Sequence, residues 1–506
     1  MTLFDMSPPN GFRTRTSRNC GNCRAIKRRC DQQLPQCGQC VRTREYCIGY
    51  RDEWELIFRD QTHHTIKRSK KKSAKAAAST RTEATVVTHS RPPARGLGPS
   101  LDEIGINYFL QNFVSGGQSP SRGYLNYIPT AYSADVEHPI LATSMAAVGL
   151  VALASHQPDL VFHARAKYSE AIRHVNFALA SPVEAVKDST LMSVISLGVF
   201  EHVSNFESWV RHVHGAAALV VARGKSQFSS PTAILMFNQV RADMAAACIQ
   251  TIRPFPDNMR ELQEEAAKYT DTSSAFWLLG VLATRCVTLF ANVSRNNRDV
   301  YASDFIPWSH FLEEAIALHG DFQPVLALLA IQEPYTTVLE SSGLTDSIIY
   351  NGRYDLYETS WAIRLWNNSR MLEIIACEIA CWLAYKILPT DLAQPAQVQL
   401  DLSLKLQELR QIMLKRGEDV LASVPQALGL TSLPESQNSV GSPSHICVSG
   451  GYMLTWNLYT IGKSPVISDN TRQWIIKQLK DISKSAGIAM ALQLAHDIVK
   501  IDLMTN

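Results

Sequence analysis

CGNCRAIKRRCDQQLPQCGQCVRTREYC, residues 20–47, holds six of the 11 cysteines of a 506-residue chain: Cys20, Cys23, Cys30, Cys37, Cys40 and Cys47. They repeat. Cys20-x2-Cys23-x6-Cys30 recurs as Cys37-x2-Cys40-x6-Cys47, displaced by 17 residues at all three positions. A Cys-x2-Cys step lets two sulfurs grip one metal ion, and a third cysteine seven residues further returns to nearly the same face of a short helix. Each half therefore offers three thiolates to a zinc ion that takes four. Two ions need eight ligand positions, which six sulfurs fill only if two of them bridge. The first cysteine of each half is the natural bridge, so the spacing predicts a binuclear cluster with pseudo-twofold symmetry, two Zn²⁺ per chain, joined through Cys20 and Cys37.

The opening MTLFDMSPPN lacks the charged start and apolar run of a signal peptide. The expected compartment is therefore reducing, where disulfides are disfavoured and metal binding is the better use of clustered thiols. A single-zinc ribbon on Cys20, Cys23, Cys37 and Cys40 is the competing arrangement, and it leaves Cys30 and Cys47 unexplained at matching offsets.

Charge separates the chain into two parts. Residues 1–100 carry 20 Lys/Arg against 8 Asp/Glu, whereas the remaining 406 carry 29 against 38. A basic head on a mildly acidic body points to a polyanion-binding module at one end only. Six thiolates and two Zn²⁺ sum to a charge of −2, yet Arg13, Arg15, Arg18, Arg24, Lys27, Arg28 and Arg29 crowd the first half of the cluster. The excess is expected to point outward and neutralise phosphates.

These spacings, with Asp31 after the third cysteine and Pro35 in the connecting loop, resemble the fungal Zn2Cys6 binuclear-cluster transcription factors. The resemblance implies that Lys27, three residues before the third cysteine, reads a CGG-type half-site of double-stranded DNA in the major groove. It also implies that Arg24 and Arg29 contact phosphate, and that the lead-in with Arg15 and Arg18 lies near the backbone. Ile26 and Arg28 depart from the pattern, at positions usually basic and usually small and apolar; Arg28 is kept among the expected DNA-contacting residues. The implied location is the nucleus, and the implied partners beyond DNA are a second copy of the chain or transcription cofactors. A zinc-dependent module that binds RNA or protein without reading DNA sequence is the alternative.

The expected domains are a DNA-binding head over 13–50, a basic linker over 51–100 and an all-α body over 101–506. Trp54, Ile57 and Phe58 make at most two amphipathic turns, with no sustained heptads to support a coiled coil. The run Lys67, Arg68, Lys70, Lys71, Lys72 reads as a solvated linker that doubles as a nuclear-import signal. In the body, helical periodicity marks 158–180, 359–388 and 471–500. ILATSMAAVGLVALAS (140–155) and AFWLLGVLATRCVTLFANV (275–293) read as buried helices, not membrane spans, the second because Arg285 interrupts it. The scattered Cys248, Cys286, Cys377, Cys381 and Cys447 read as core residues. His212 and His214 lie too far around a helix to share an ion.

ESWVRHVHGAAALVVARG (207–224) carries a second resemblance. Trp209, His212, Gly215, Ala216, Arg223 and Gly224 match a pattern in one class of fungal-specific transcription factor regulatory domain. Gly215 and its neighbouring alanines are expected to let helices approach closely. No Gly-rich phosphate loop, Gly-x-Ser-x-Gly elbow or His-Glu-x2-His helix appears, so the reading is not an enzyme. No residue pattern identifies a small-molecule effector.

Overall fold

The computed structural model describes residues 19–33, 36–47, 98–116, 123–134, 139–204, 206–298, 306–340, 348–388, 396–431 and 448–505. Arg13, Arg15, Arg18, the segment 51–97 with its basic run, and Cys447 lie outside the described residues. The chain divides into two compact units, Met1–Gly96 and Leu97–Asn506. In the first, two single helical turns, α1 (Gly21–Ala25) and α2 (Gly38–Arg42), carry the cysteines.

The second unit is mostly helical. It opens at α3 (Leu101–Asn112), where Ser100 Oγ accepts from Glu103 N at 3.2 Å and Glu103 Oε2 accepts from Ser100 N at 2.7 Å. This reciprocal cap satisfies two otherwise orphaned donors, and it holds the Glu103 carboxyl below its ordinary range. There follow α4 (Ile128–Ala134), α5 (Pro139–Leu153), α6 (Leu160–Leu179), α7 (Pro182–Ala185), α8 (Asp188–Ser204) and α9 (Phe206–Arg223). Next come α10 (Pro231–Thr251), α11 (Asp257–Ala266), α12 (Ala275–Arg298), α13 (Trp308–Gln332), α14 (Ser360–Ile387), α15 (Ala396–Ala427), α16 (Val448–Gly462), α17 (Asp469–Ala486) and α18 (Ala489–Thr505).

Neighbours in sequence are neighbours in space. The most extensive packing joins α5 to α6 and α3, α8 to α9, α13 to α14, and α14 to α15. Helices that are apolar all round sit at the centre. On α8 every residue from Thr190 to Val203 is buried, and on α5 burial runs without a break from Thr143 to Leu150. On amphipathic α6 only one stripe, Leu160, Ala164, Ala171, Val175 and Ala178, is buried.

Close helix approach occurs at glycines other than the one expected. α3 and α5 touch where Gly105 meets Gly149, and a Cβ on Gly149 would collide with the Gly105 carbonyl oxygen. At Gly215 the nearest atom to an added Cβ is Val194 Cγ1 at 3.9 Å, an ordinary contact, and the residue is exposed. The expectation of a tight seam at Gly215 is corrected accordingly. Gly149→Ala is expected to cost about 1–3 kcal/mol through overpacking, measured as a lowered urea midpoint, while Gly215→Ala leaves the midpoint unchanged or slightly raised.

On α9, Trp209 is buried, the His212 ring nitrogen Nε2 lies 3.0 Å from Tyr168 Oη, and Arg223 pairs with Asp188. His214 is exposed, on another face from His212. Gly224, at φ 67°, leaves the helix in a conformation that a side chain would strain.

Two features were not expected. The 471–500 stretch is broken into α17 and α18 at Gly487, which takes φ 72°. Two short antiparallel sheets also interrupt the helices: β1 (Ser115–Gly116) with β2 (Gly123–Tyr124), and β3 (Tyr335–Leu339) with β4 (Arg353–Tyr357). In the latter, Tyr335 faces Tyr357 and Leu339 faces Arg353.

α12 and α13 are each long and apolar enough to cross a membrane by length and composition. In the body they supply core residues, among them Trp277, Cys286, Phe322 and Leu329, and Arg285 reaches Asp321 across the pair at 2.7 Å. A charged knot lies beside them. Glu373 of α14 has no exposed surface; its carboxylate accepts from Arg416 Nε at 2.6 Å and from Gln323 Nε2 at 2.8 Å, and lies 3.4 Å from His319 Nδ1. Buried charge is tolerated when every lone pair is answered in this way.

Candidate metal centre and nucleic-acid interface

The 17-residue offset of the sequence persists in the backbone of the head. α1 begins one residue after Cys20, and α2 one residue after Cys37. Arg28 N donates to Cys23 O at 2.8 Å, and its counterpart Glu45 N donates to Cys40 O at 2.9 Å. Lys27 and Arg44, also counterparts, both turn through the left-handed region at φ 53° and 55°. Each half thus follows the same path: cysteine, helical turn, cysteine, left-handed reversal. Cys37 also caps α2, its sulfur accepting from Cys40 N at 3.4 Å.

The reversals bring the sulfurs together. Cys20 Sγ lies 3.6 Å from Cys37 Sγ and 3.7 Å from Cys40 Sγ, and Cys23 Sγ lies 3.7 Å from Cys37 Sγ. A disulfide would need about 2.05 Å. A zinc tetrahedron with Zn–S bonds of about 2.3 Å has sulfurs about 3.8 Å apart. The observed separations are those of a tetrahedron's edges.

Two quartets meet this condition, each with all four sulfurs within 4.8 Å of one another: Cys20, Cys23, Cys30, Cys37 and Cys20, Cys37, Cys40, Cys47. Cys20 and Cys37 belong to both. Six sulfurs therefore form two four-sulfur cages fit for two Zn²⁺. A ribbon would need Cys20, Cys23, Cys37 and Cys40 as its quartet, and that set is not among the groupings the described residues form. All but Cys30 are buried, and burial, with the neighbouring Cys37 sulfur, pushes the Cys40 thiol up to about 11; Cys20 is raised further. Such thiols ionise at neutral pH when a cation takes the place of their protons, and zinc supplies that charge while closing the fold.

Polar bridges tie the halves. Asn22 Nδ2 donates to Tyr46 O at 2.7 Å, and Asp31 Oδ1 accepts from Gly38 N at 3.0 Å. A Cβ at Gly38 would strike the Asp31 carboxylate, which explains a glycine there. Arg28 donates to Glu45 Oε2 at 3.0 Å and to Thr43 Oγ1 at 3.4 Å. The Cys23 sulfur, and behind it Glu45, raise the Arg28 pKa beyond its usual value.

The expected DNA-contacting cations fall into three groups. Lys27 and Arg29 are exposed. Arg24 sits on α1, its side chain outside the described residues, as are Arg15 and Arg18. Arg28 stands apart from these: 22% of its side chain is exposed, and it pairs with Glu45 within the head. The signal was present in the sequence, since Arg28 and Glu45 are separated by the same 17 residues as the cysteines and carry opposite charges.

The remaining described cysteines do not form a second centre. Cys377 and Cys381 are buried on α14, with Cys377 Sγ 3.6 Å from His319 Nδ1, and Cys248 and Cys286 are buried in the core. Among the described residues, both groups of three or more potential metal ligands lie in the head.

Residues 18–54 match the model of the fungal Zn(2)-Cys(6) binuclear cluster domain. The regulatory-domain resemblance of the body is not identified by a family model. No curated protein and no solved structure matches the chain. The doubly shared sulfurs and the family match agree: the head is a Zn2Cys6 binuclear cluster domain, and such a domain implies a zinc-cluster DNA-binding transcription factor, a non-enzymatic kind of protein.

Proposed function

We propose that the head reads a CGG-like half-site in the major groove, with Lys27 on guanine O6 and N7. Arg24 and Arg29, with Arg15 and Arg18 of the lead-in, hold the phosphates. Arg28 is left out of the contact set because Glu45 occupies it. The observation that carries this reading is the doubly bridged sulfur cage, which presents Lys27 on an exposed left-handed turn beside Arg29. The left-handed turn sets Lys27 apart from the helical residues before it, and a lysine placed on guanine is a recognised base contact.

In the same proposal residues 13–50 form the DNA-binding domain, 51–100 a basic linker whose 67–72 run directs nuclear import, and 101–506 a regulatory body. The body meets a second copy of the chain or transcription cofactors.

Fluorescence anisotropy with CGG-containing and scrambled duplexes across a salt series tests the reading. Lys27→Ala is expected to lose about 1–3 kcal/mol of preference for CGG over scrambled sequence. Arg29→Ala is expected to weaken both duplexes alike and to flatten the log–log salt slope by about one. Equal affinity of the parent protein for both duplexes at moderate salt would overturn sequence reading, and tighter binding to a matched RNA would replace it with the RNA alternative.

A further inference from the structure

The body contains a pocket enclosed by α8, α9, α10, α12, α14 and α16, with a cavity volume of about 160 Å³. Ligand sites combine apolar walls with a few placed polar groups. Here the walls include the rings of Trp209, Phe276, Trp361, Tyr452 and Trp456.

The polar groups are unusual in being unanswered. Tyr127 Oη, His202 Nδ1, Asn238 Oδ1 and Asn457 Nδ2 line the pocket and have no hydrogen-bond partner among the described residues, although these residues are only 6%, 1%, 6% and 1% exposed. Buried polar atoms left unpaired cost stability, and native proteins keep few of them. Three of the four are donors. The His202 assignment follows from Trp456 Nε1, which donates to His202 Nε2 at 3.2 Å and so leaves the proton on Nδ1. Burial keeps that ring neutral, its pKa pushed down to about 3.

One wall also carries a cation that forms no direct ion pair among the described residues. The Arg364 guanidinium lies 4.8 Å from the Tyr124 ring centre and 5.7 Å from that of Trp361, which hold it in place. Its polar partner is the amide oxygen of Gln239, at 3.4 and 3.5 Å, and it forms no ion pair among the described residues. The neighbouring Asp243 carboxylate accepts from the other end of the same amide, at 2.8 and 2.9 Å, so Gln239 stands between the two charges. Arg241, also on the lining, donates to Gln263 and lies 4.6 Å from the Trp277 ring centre. The lining thus holds two guanidiniums, Arg241 and Arg364, and one carboxylate, Asp243, an excess of positive charge.

We propose that this pocket binds a small organic anion: a carboxylate carried on an aromatic or alicyclic ring. The carboxylate sits on Arg364 and takes the Tyr127 hydroxyl, the ring lies among the tryptophans and Tyr452, and ring oxygens take the free donors of His202 and Asn457. A neutral ring would leave Arg364 unanswered, and an organic cation would face two like charges.

The test is isothermal titration of the full-length, zinc-loaded protein with 2-naphthoate and, in parallel, with the neutral 2-naphthalenemethanol. Naphthoate is expected to bind at one equivalent, at least about tenfold tighter than the alcohol. Arg364→Gln should bring the two within about twofold of each other, and Tyr127→Phe, which removes a single hydroxyl, should weaken naphthoate by about three- to tenfold. Thermal melts within about 2 °C of the parent verify that each variant keeps its fold; should Arg364→Gln fail this check, Tyr127→Phe carries the comparison. Absence of naphthoate binding up to about 5 mM, equal binding of the alcohol, or a naphthoate isotherm unchanged by the folded variants would overturn the proposal.

Discussion

Cys37→Ala is expected to strip both zinc ions from the protein, not one. Its sulfur belongs to both quartets, so its loss leaves three thiolates in each cage, and the same substitution removes the sulfur that caps α2. Structural zinc contributes about 10–16 kcal/mol of apparent binding energy in small domains, which is folding energy where the fold has little other core. Among the described residues, the buried interior of the head is made of the cysteines themselves. Cys30→Ala and Cys47→Ala touch one quartet each and leave the other with four sulfurs. Zinc measured by elemental analysis on the purified full chain should therefore fall from about two equivalents to none in Cys37→Ala and to about one in the single-cage variants. A single ion retained by Cys37→Ala would show that this sulfur does not bridge.

The second large effect concerns the body. Glu373→Ala is expected to cost about 3–5 kcal/mol, because it leaves Arg416 with only Asp419, 3.8 Å away and already paired with Arg353 at 2.8 Å. Glu373→Gln keeps the shape and one acceptor and should cost less. The two variants also separate by pH. Burial pushes the Glu373 carboxyl up, but hydrogen bonding with His319 and the Arg416 charge outweigh it and hold the group below its ordinary range. A carboxyl so held contributes stability that is fully present above its unfolded pKa of about 4.3 and is lost as pH falls through the lower folded value. Urea midpoints taken from pH 7 downward should show the parent losing its advantage over Glu373→Gln below about pH 4.3, with the gap closing once the carboxyl is protonated. A constant gap at all pH values would mean that charge plays no part.

The head was legible because cysteine spacing is a constraint the chain cannot disguise. Two sulfurs per step, three per half and four per ion leave one closed arrangement, and Cys20 and Cys37 emerge as the shared pair. The fate of Arg28 was harder to see, since adjacent cations look alike until a partner is placed opposite one of them. In the body, helices with a single apolar stripe, such as α6, declare themselves by period. The split at Gly487 was signalled by a glycine following Lys484, yet the apolar stripe runs on through it and masks the stop. β3 and β4 escaped because a long connection joins them instead of a two-residue turn. The crossing at Gly105 and Gly149 was invisible for a different reason: a glycine reveals freedom, but only the packed partner reveals need. The pocket is assembled from six helices, and no local pattern announces it.

The Arg28–Glu45 pair has a consequence for how the head orients. Two halves that trace one path offer a duplex two nearly interchangeable ways to dock, and shape alone would not choose between them. The charges choose. The first half presents Arg24, Lys27 and Arg29 with Asp31 as their counterweight, while the second presents Arg42 and Arg44, and its Glu45 stands where the first has Arg28. A quasi-symmetric scaffold thereby acquires a front and a back, and in the proposed complex a lone head has a direction along the DNA that its metal core lacks.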